Sequence, residues 1–255
     1  MSSLFVNNNV ILDKIDLVIF DKDGTLIDVH HYWTKMIKTR ASEITNKWFN
    51  GKSRDNFEIG LIDLMGMDLE TNKLKPEGPV GVKSRDYIVS IVKDYVCKNA
   101  KVVNDDDVEL LFKYVDIITE KKLSSFVKIL PGVKQLLEKM QQYDIKAIVV
   151  SNDITSRAIK GIDALGLRSC FIEIIGGDSV ENAKPAPDLA QLALSKINCH
   201  TSNVAVIGDH TVDMLMGISS GITTNICVLG GISNKENFSQ CDCILVESLL
   251  NIDVG

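Results

Sequence analysis

Short apolar runs without alternation recur along this chain, and each gives way to polar or glycine-bearing residues. The first, Ile15 to Phe20, is closed by Asp21 and Gly24; others lie at Ala147 to Val150, Phe171 to Ile175, Val204 to Ile207, Ile226 to Leu229 and Ile244 to Val246. A strand with one wet face alternates, whereas a strand covered on both faces reads as one continuous run. Helical patterns fill the intervals: Pro131 to Tyr143, with Val133, Leu136, Leu137 and Met140 on one face, then Thr155 to Leu165, Pro187 to Ile197 and Val212 to Ser219. Strands alternating with helices through short links build right-handed crossovers. The expected fold class is therefore α/β, a doubly wound parallel sheet with helices on both sides.

Residues from about His30 to Phe126 break this rhythm. They carry amphipathic helical stretches around Tyr32 to Phe49, Asn56 to Leu64, Arg85 to Lys98 and Val108 to Leu123, with no convincing buried strand. The loop Asn72 to Pro79 holds two of the five prolines and divides the block in two. The spacing predicts two domains: a core of residues 1–28 and 127–255, and an all-helical insertion of residues 29–126. Leu4 to Leu12 reads as a short hairpin.

With 45% hydrophobic residues in 255, the chain has material for a real core. Lys and Arg number 28 against 34 Asp and Glu, a net charge of −6, which argues against coating nucleic acid or anionic lipid. The first apolar patch is broken by Asn7, Asn8, Asn9, Asp13 and Asp16, so no signal-peptide core is expected, and no later run approaches a membrane span of about 18 residues. Six cysteines without paired spacing read as free thiols, and the expected location is the cytoplasm.

In a doubly wound sheet, ligands bind beyond the carboxyl ends of the strands. The first strand ends in Asp21-Lys22-Asp23-Gly24-Thr25-Leu26, the second in Ser151-Asn152-Asp153, and the fourth in Gly208-Asp209-His210-Thr211-Val212-Asp213. Lys184 stands in Ala183-Lys184-Pro185, ahead of the helix that precedes the fourth strand. Asp21, Asp23, Asp209 and Asp213 would repel one another if ionised together without a cation. A hard divalent ion with oxygen ligands resolves that repulsion, and Mg²⁺ suits carboxylates combined with phosphate oxygen.

The Asp-x-Asp-Gly-Thr-Leu strand end, the Ser after the second strand, the lone Lys before Pro and the Gly-Asp-x-x-x-Asp stretch resemble, in order, the four motifs of the haloacid dehalogenase superfamily. The likeness spans Asp21 to Asp213; beyond Gly217 it is one of fold alone. The helical insertion resembles that family's cap domain, in the position where phosphoglycolate phosphatase and β-phosphoglucomutase relatives carry theirs on a Rossmann-like core. The resemblance implies that Asp21 is the nucleophile forming an aspartyl phosphate, and that Asp23 protonates the leaving oxygen and later deprotonates water. It implies that Ser151 and the Asn152 backbone N–H grip the phosphoryl oxygens and that Lys184 neutralises charge on nucleophile and phosphoryl group. Asp209 would complete a Mg²⁺ shell with Asp21 and the Asp23 carbonyl, and Asp213 either reaches the ion through water or orients Lys184. Lys22 stands where relatives more often have an apolar or aromatic residue, and no catalytic role is expected of it.

Other residues have plainer readings. His30 and His31 suit a hinge or cap, His210 a loop-shaping role, Trp33 and Trp48 the packing of the insertion, and Cys241 and Cys243 core positions. Arg40, Lys52, Arg54, Lys73 and Lys75 offer charge that could meet an anionic or sugar substrate. Gly78 to Ser84 has the wrong glycine spacing for a nucleotide-binding loop. The expected activity is Mg²⁺-dependent hydrolysis of small phosphomonoesters such as phosphoglycolate, sugar phosphates or nucleotides, on a phosphorylated metabolite with no nucleic-acid or membrane partner. A phosphosugar mutase is the alternative enzyme, and a catalytically silent binding protein the alternative of another class.

Overall fold

The computed structural model describes residues 2–75, 78–80, 83 and 85–255. Pro76 and Glu77 of the proline-bearing loop, and Gly81, Val82 and Ser84 of the excluded nucleotide-loop segment, lie outside the described residues. The chain divides into two compact units, residues 1–29 with 127–255 and residues 30–126.

The first unit is built on six parallel strands. In chain order these are β3 (Leu17–Phe20), β6 (Lys146–Ser151), β7 (Glu173–Gly176), β8 (Val204–Gly208), β9 (Thr224–Val228) and β10 (Ile244–Val246), after an antiparallel hairpin of β1 (Leu4–Val6) and β2 (Asn9–Leu12). The sheet order is β10-β9-β8-β3-β6-β7. Successive strands step outward from β3 first on one side and then on the other, so β3 is the point of reversal, and the crevice beside its carboxyl end is where such sheets take ligands. All four residues of β3 and all five of β8 are buried, as their unbroken apolar composition requires.

Helices α6 (Val133–Gln142), α7 (Thr155–Ala164), α8 (Asp188–Ser195) and α9 (Thr211–Ser219) supply the covering layers. The four apolar positions read on α6 are its buried face. Leu17, Ile19, Ile148, Val150, Val206 and Met214 belong to one core cluster, and Phe20 meets Phe171 edge-on at 6.2 Å. The hairpin is extended into a three-stranded sheet by β11 (Ile252–Val254), with Leu4 opposite Val254.

The second unit holds α2 (Arg54–Leu64), α3 (Arg85–Asn99), α4 (Asp105–Glu120), α5 (Leu123–Phe126) and nearly all of α1 (Val29–Trp48). It is not purely helical. Met67–Asp68 (β4) pairs antiparallel with Lys73–Leu74 (β5), two residues each, a pairing too short to leave a periodic signal. The Leu74 N–H donates to His30 Nδ1 at 3.1 Å, which fixes that ring to the small sheet. Arg40 lies buried over Phe112 at 4.3 Å, and Asp116 bridges it to Arg85 at 3.1 and 2.6 Å. Arg40 is therefore an internal strut of this unit. Trp48 is buried and Trp33 packs edge-on against Tyr32 at 5.1 Å, both as packing residues. Among the described residues no helix is long and apolar enough to cross a membrane.

Candidate active site

The loops after β3 and β8, the segment before α8 and the first turn of α9 bring Asp21, Asp209, Lys184 and Asp213 together. One carboxylate oxygen from each of Asp21, Asp209 and Asp213 lies within 4.8 Å of the others. Lys184 enters this group as a buried ammonium. Its Nζ donates to Asp21 Oδ1 at 2.6 Å, to Asp213 Oδ1 at 2.7 Å and to the Val150 carbonyl at 2.9 Å, using the three protons an ammonium carries. Burial opposes the charge on Lys184, yet Asp21 and Asp213 outweigh it and hold its pKa above the usual lysine range.

The carboxylates are strained in the opposite sense. Burial, reinforced by Asp213 and Asp23 against the pull of Lys184, raises Asp21 to about 7. Burial and the Asp21 and Asp213 charges hold Asp209 well above the carboxylate range. Three inward oxygens with this much unfavourable charge form a hard, anionic donor set that a divalent cation fits.

Asp213 is pinned from two sides. Its Oδ2 accepts from the His210 N–H at 3.0 Å, the reciprocal half of a capping box at the start of α9, while Oδ1 takes the Lys184 proton. Asp213 thus joins Lys184 through one oxygen and the start of α9 through the other. His210, with Nδ1 accepting from Val212 N–H at 3.3 Å, is the N-cap and shapes this loop.

Ser151 is buried, and its Oγ accepts from the Asp153 N–H at 3.1 Å, leaving its own proton to donate. The Asn152 side chain pairs with the Lys184 backbone, accepting from its N–H at 2.9 Å and donating to its carbonyl at 3.2 Å. This amide clamp ties the loop after β6 to the lysine. The Lys184–Pro185 peptide is cis.

The Asp23 carboxylate stands outside the three-carboxylate group. It pairs with Lys22 Nζ at 2.7 Å, and Lys22 is itself buried, with Asp153 at 3.5 Å on its other side. Lys22 therefore bonds the second aspartate of the motif, a contact that its place in the sequence did not disclose. Two glycines crowd Asp209: Gly24 of the first motif and Gly231, which the sequence reading missed. A Cβ at Gly24 (φ +91°) would lie 2.1 Å from Asp209 Oδ2, and one at Gly231 only 1.6 Å from it. Gly231 follows β9 at the same sheet edge, so a Gly-Gly pair just past a strand was the available signal. Gly231→Ala is expected to displace the Asp209 carboxylate, lowering turnover at least tenfold and raising the Mg²⁺ concentration needed for half-maximal rate. An unchanged Mg²⁺ titration would remove Gly231 from the site.

Cys241 and Cys243 precede β10, partly buried, and all six cysteines are free thiols. In the second unit, Lys75 pairs with Asp63 at 2.6 Å and Arg54 is bonded to Asn46.

The fold and site thus define an α/β protein of the doubly wound class, with carboxylates and a buried lysine converging at the carboxyl edge of its parallel sheet. The family model for haloacid dehalogenase-like hydrolases matches residues 15–221, and the chain belongs to that family. Among curated proteins, the chain is 26% identical to pyrophosphatase PpaX of Oceanobacillus iheyensis over 83% of this chain and 82% of that one. Among solved structures, a predicted phosphoglycolate phosphatase from Haemophilus somnus has a TM-score of 0.67 at 20% identity, over 92% of this chain and 95% of that one. CbbY from Rhodobacter sphaeroides in complex with phosphate has a TM-score of 0.63 at 17% identity, over 92% and 95%. These two likenesses are of fold.

Proposed function

We propose that the protein is a Mg²⁺-dependent phosphatase that hydrolyses small phosphomonoesters through an aspartyl phosphate on Asp21. The observation that carries this reading is the three-way anchoring of Lys184 against Asp21, Asp213 and the Val150 carbonyl, beside a cluster of buried carboxylates. Asp21 and Asp209, with the Asp23 carbonyl, would hold the ion, which would offset phosphate charge and the carboxylates' mutual repulsion. Asp213 acts through Lys184.

Asp21 Oδ attacks phosphorus in line, and the bond from phosphorus to the ester oxygen breaks with its electron pair going to that oxygen. Asp23 gives its proton to the departing oxygen. In the second half, Asp23 takes a proton from water as the water oxygen attacks phosphorus and the bond to Asp21 breaks. The Ser151 hydroxyl and the Asn152 N–H bind the phosphoryl oxygens throughout, and the Lys184 ammonium keeps the Asp21 oxygen oriented and charge-balanced. Phosphoglycolate, sugar phosphates and nucleotides fit this chemistry, and the relative named a pyrophosphatase adds pyrophosphate to the compounds worth testing.

The test is to quench the enzyme in acid during turnover of a ³²P-labelled ester and look for protein-bound label. Label released by hydroxylamine and mapping to the peptide containing Asp21 is expected. Label on histidine or serine, or none during active turnover, contradicts the assignment.

A further inference from the structure

We propose that Lys22 is a positioning residue for proton transfer: it anchors the Asp23 carboxylate to the loop after β6, so that acid and phosphate-binding groups form one registered unit. The proposal rests on the reading of Asp23 as the proton-transfer group. Lys22 lies between Asp23 and Asp153, at 2.7 and 3.5 Å, and Asp153 accepts a further bond from Arg157 Nη1 on α7 at 3.0 Å. The result is an alternating ladder, Asp23, Lys22, Asp153, Arg157, running from the end of β3 to α7. Ser151 ends β6, Asn152 and Asp153 follow it directly, and the Asp153 N–H donates to Ser151 Oγ, so the same ammonium that fixes Asp23 fixes the segment carrying the proposed phosphate ligands.

Several features make this more than a surface ion pair. Lys22 is 5% exposed, and its aliphatic stem runs past Gly161 on α7, where an added Cβ would come within 3.9 Å of Lys22 Cδ and 3.3 Å of Ile27 Cδ1. The Asp23 side chain is about one-third exposed, and the next residue, Gly24, has φ +91° and offers it no side-chain support. Among the described residues, Lys22 is its ion-pair partner. A carboxylate at the end of a strand, with two free rotors and water at hand, keeps one orientation only when something holds it, and a buried ammonium with little rotamer freedom does so. Misplacing a catalytic group by about 1 Å costs as much as 10²-fold in rate.

Leaving-group chemistry separates this role from a merely structural one. Departure of p-nitrophenolate needs no proton, whereas departure of unsubstituted phenolate draws on Asp23 more heavily. Single-turnover phosphorylation would be followed for Lys22→Met with p-nitrophenyl phosphate and phenyl phosphate, both with Mg²⁺. The expected result is a loss of about tenfold for phenyl phosphate and under about twofold for p-nitrophenyl phosphate, with Lys22→Arg recovering most of the loss. Hydrolysis of the phosphoenzyme, which needs Asp23 as base, slows in parallel with the phenyl phosphate step. Asp153→Asn, which leaves the Lys22–Asp23 contact but frees the far end of the ammonium, gives the same selective pattern at about threefold and serves if Lys22→Met does not fold. Equal losses for both esters, or no loss for either, overturn the role of Lys22. Absence of turnover by the wild-type protein of both aryl esters and of phosphoglycolate, sugar phosphates, nucleotides and pyrophosphate overturns the phosphatase reading and this inference with it.

Discussion

Asp21→Asn protein is expected to release no phosphate above background, a loss of about 10⁴-fold or more, as removal of an attacking group requires. The amide keeps the shape of the side chain and an oxygen that still accepts the Lys184 proton, so folding is preserved. It also removes one of three closely grouped carboxylates. Burial raises Asp21 to about 7 in the folded protein, against 3.8 for an unperturbed carboxyl, so folding binds protons between those values. For a raised carboxyl, the contribution to stability is greatest at low pH and is lost as pH rises through about 7. Metal-stripped wild-type protein should accordingly lose stability from pH 5 to pH 8, and Asp21→Asn should flatten that slope. Urea unfolding at the two pH values measures both, and a variant with the wild-type slope would show that Asp21 is not the group responsible.

Lys184→Ala is expected to cost the protein both stability and rate. It removes one ammonium and strands its partners: Asp213, nearly inaccessible, and Asp21 lose the only cation bonded to them among the described residues. Breaking a buried pair from one side costs about 3–5 kcal/mol, because the remaining charge stays buried. The cost should be greater at pH 8 than at pH 5, where protonation of Asp21 and Asp209, both raised by burial, relieves it. Turnover should fall about 10²- to 10³-fold, the scale of losing one preorganised donor to developing charge. Mg²⁺ should recover part of the stability and little of the rate. A variant as stable as wild type at pH 8, or one retaining near-normal turnover, would show that the three contacts of Lys184 are incidental.

How far the sequence carried depends on the length scale of each feature. The six parallel strands were legible because a strand covered on both sides needs apolar residues throughout, as Leu17 to Phe20 shows. The edge holding Asp21, Ser151, Lys184 and Asp209 was legible because strand ends in such sheets face one crevice and four motifs stand in order along the chain. What escaped was set by long-range or very short pairings. β11 has three residues and gains its place by meeting the other terminus, Leu4 opposite Val254, which no local window contains. β4 and β5 have two residues each. Lys22 escaped because its neighbours in sequence do not reveal which way a loop side chain turns; the meeting with Asp153, far along the chain, exists only in three dimensions. The two bonds of Asp213, to the Lys184 ammonium and the His210 N–H, likewise join residues whose meeting depends on the fold.

The central claim is that this edge of the sheet performs metal-assisted phosphoryl transfer to Asp21. Its most direct test is phosphate release from a panel of phosphomonoesters and pyrophosphate, each with Mg²⁺ and with EDTA, and with Asp21→Asn protein in parallel. The account predicts release that requires Mg²⁺ and vanishes in the variant, with one ester preferred. Release that persists in EDTA, or that Asp21→Asn sustains at the wild-type rate, would contradict it.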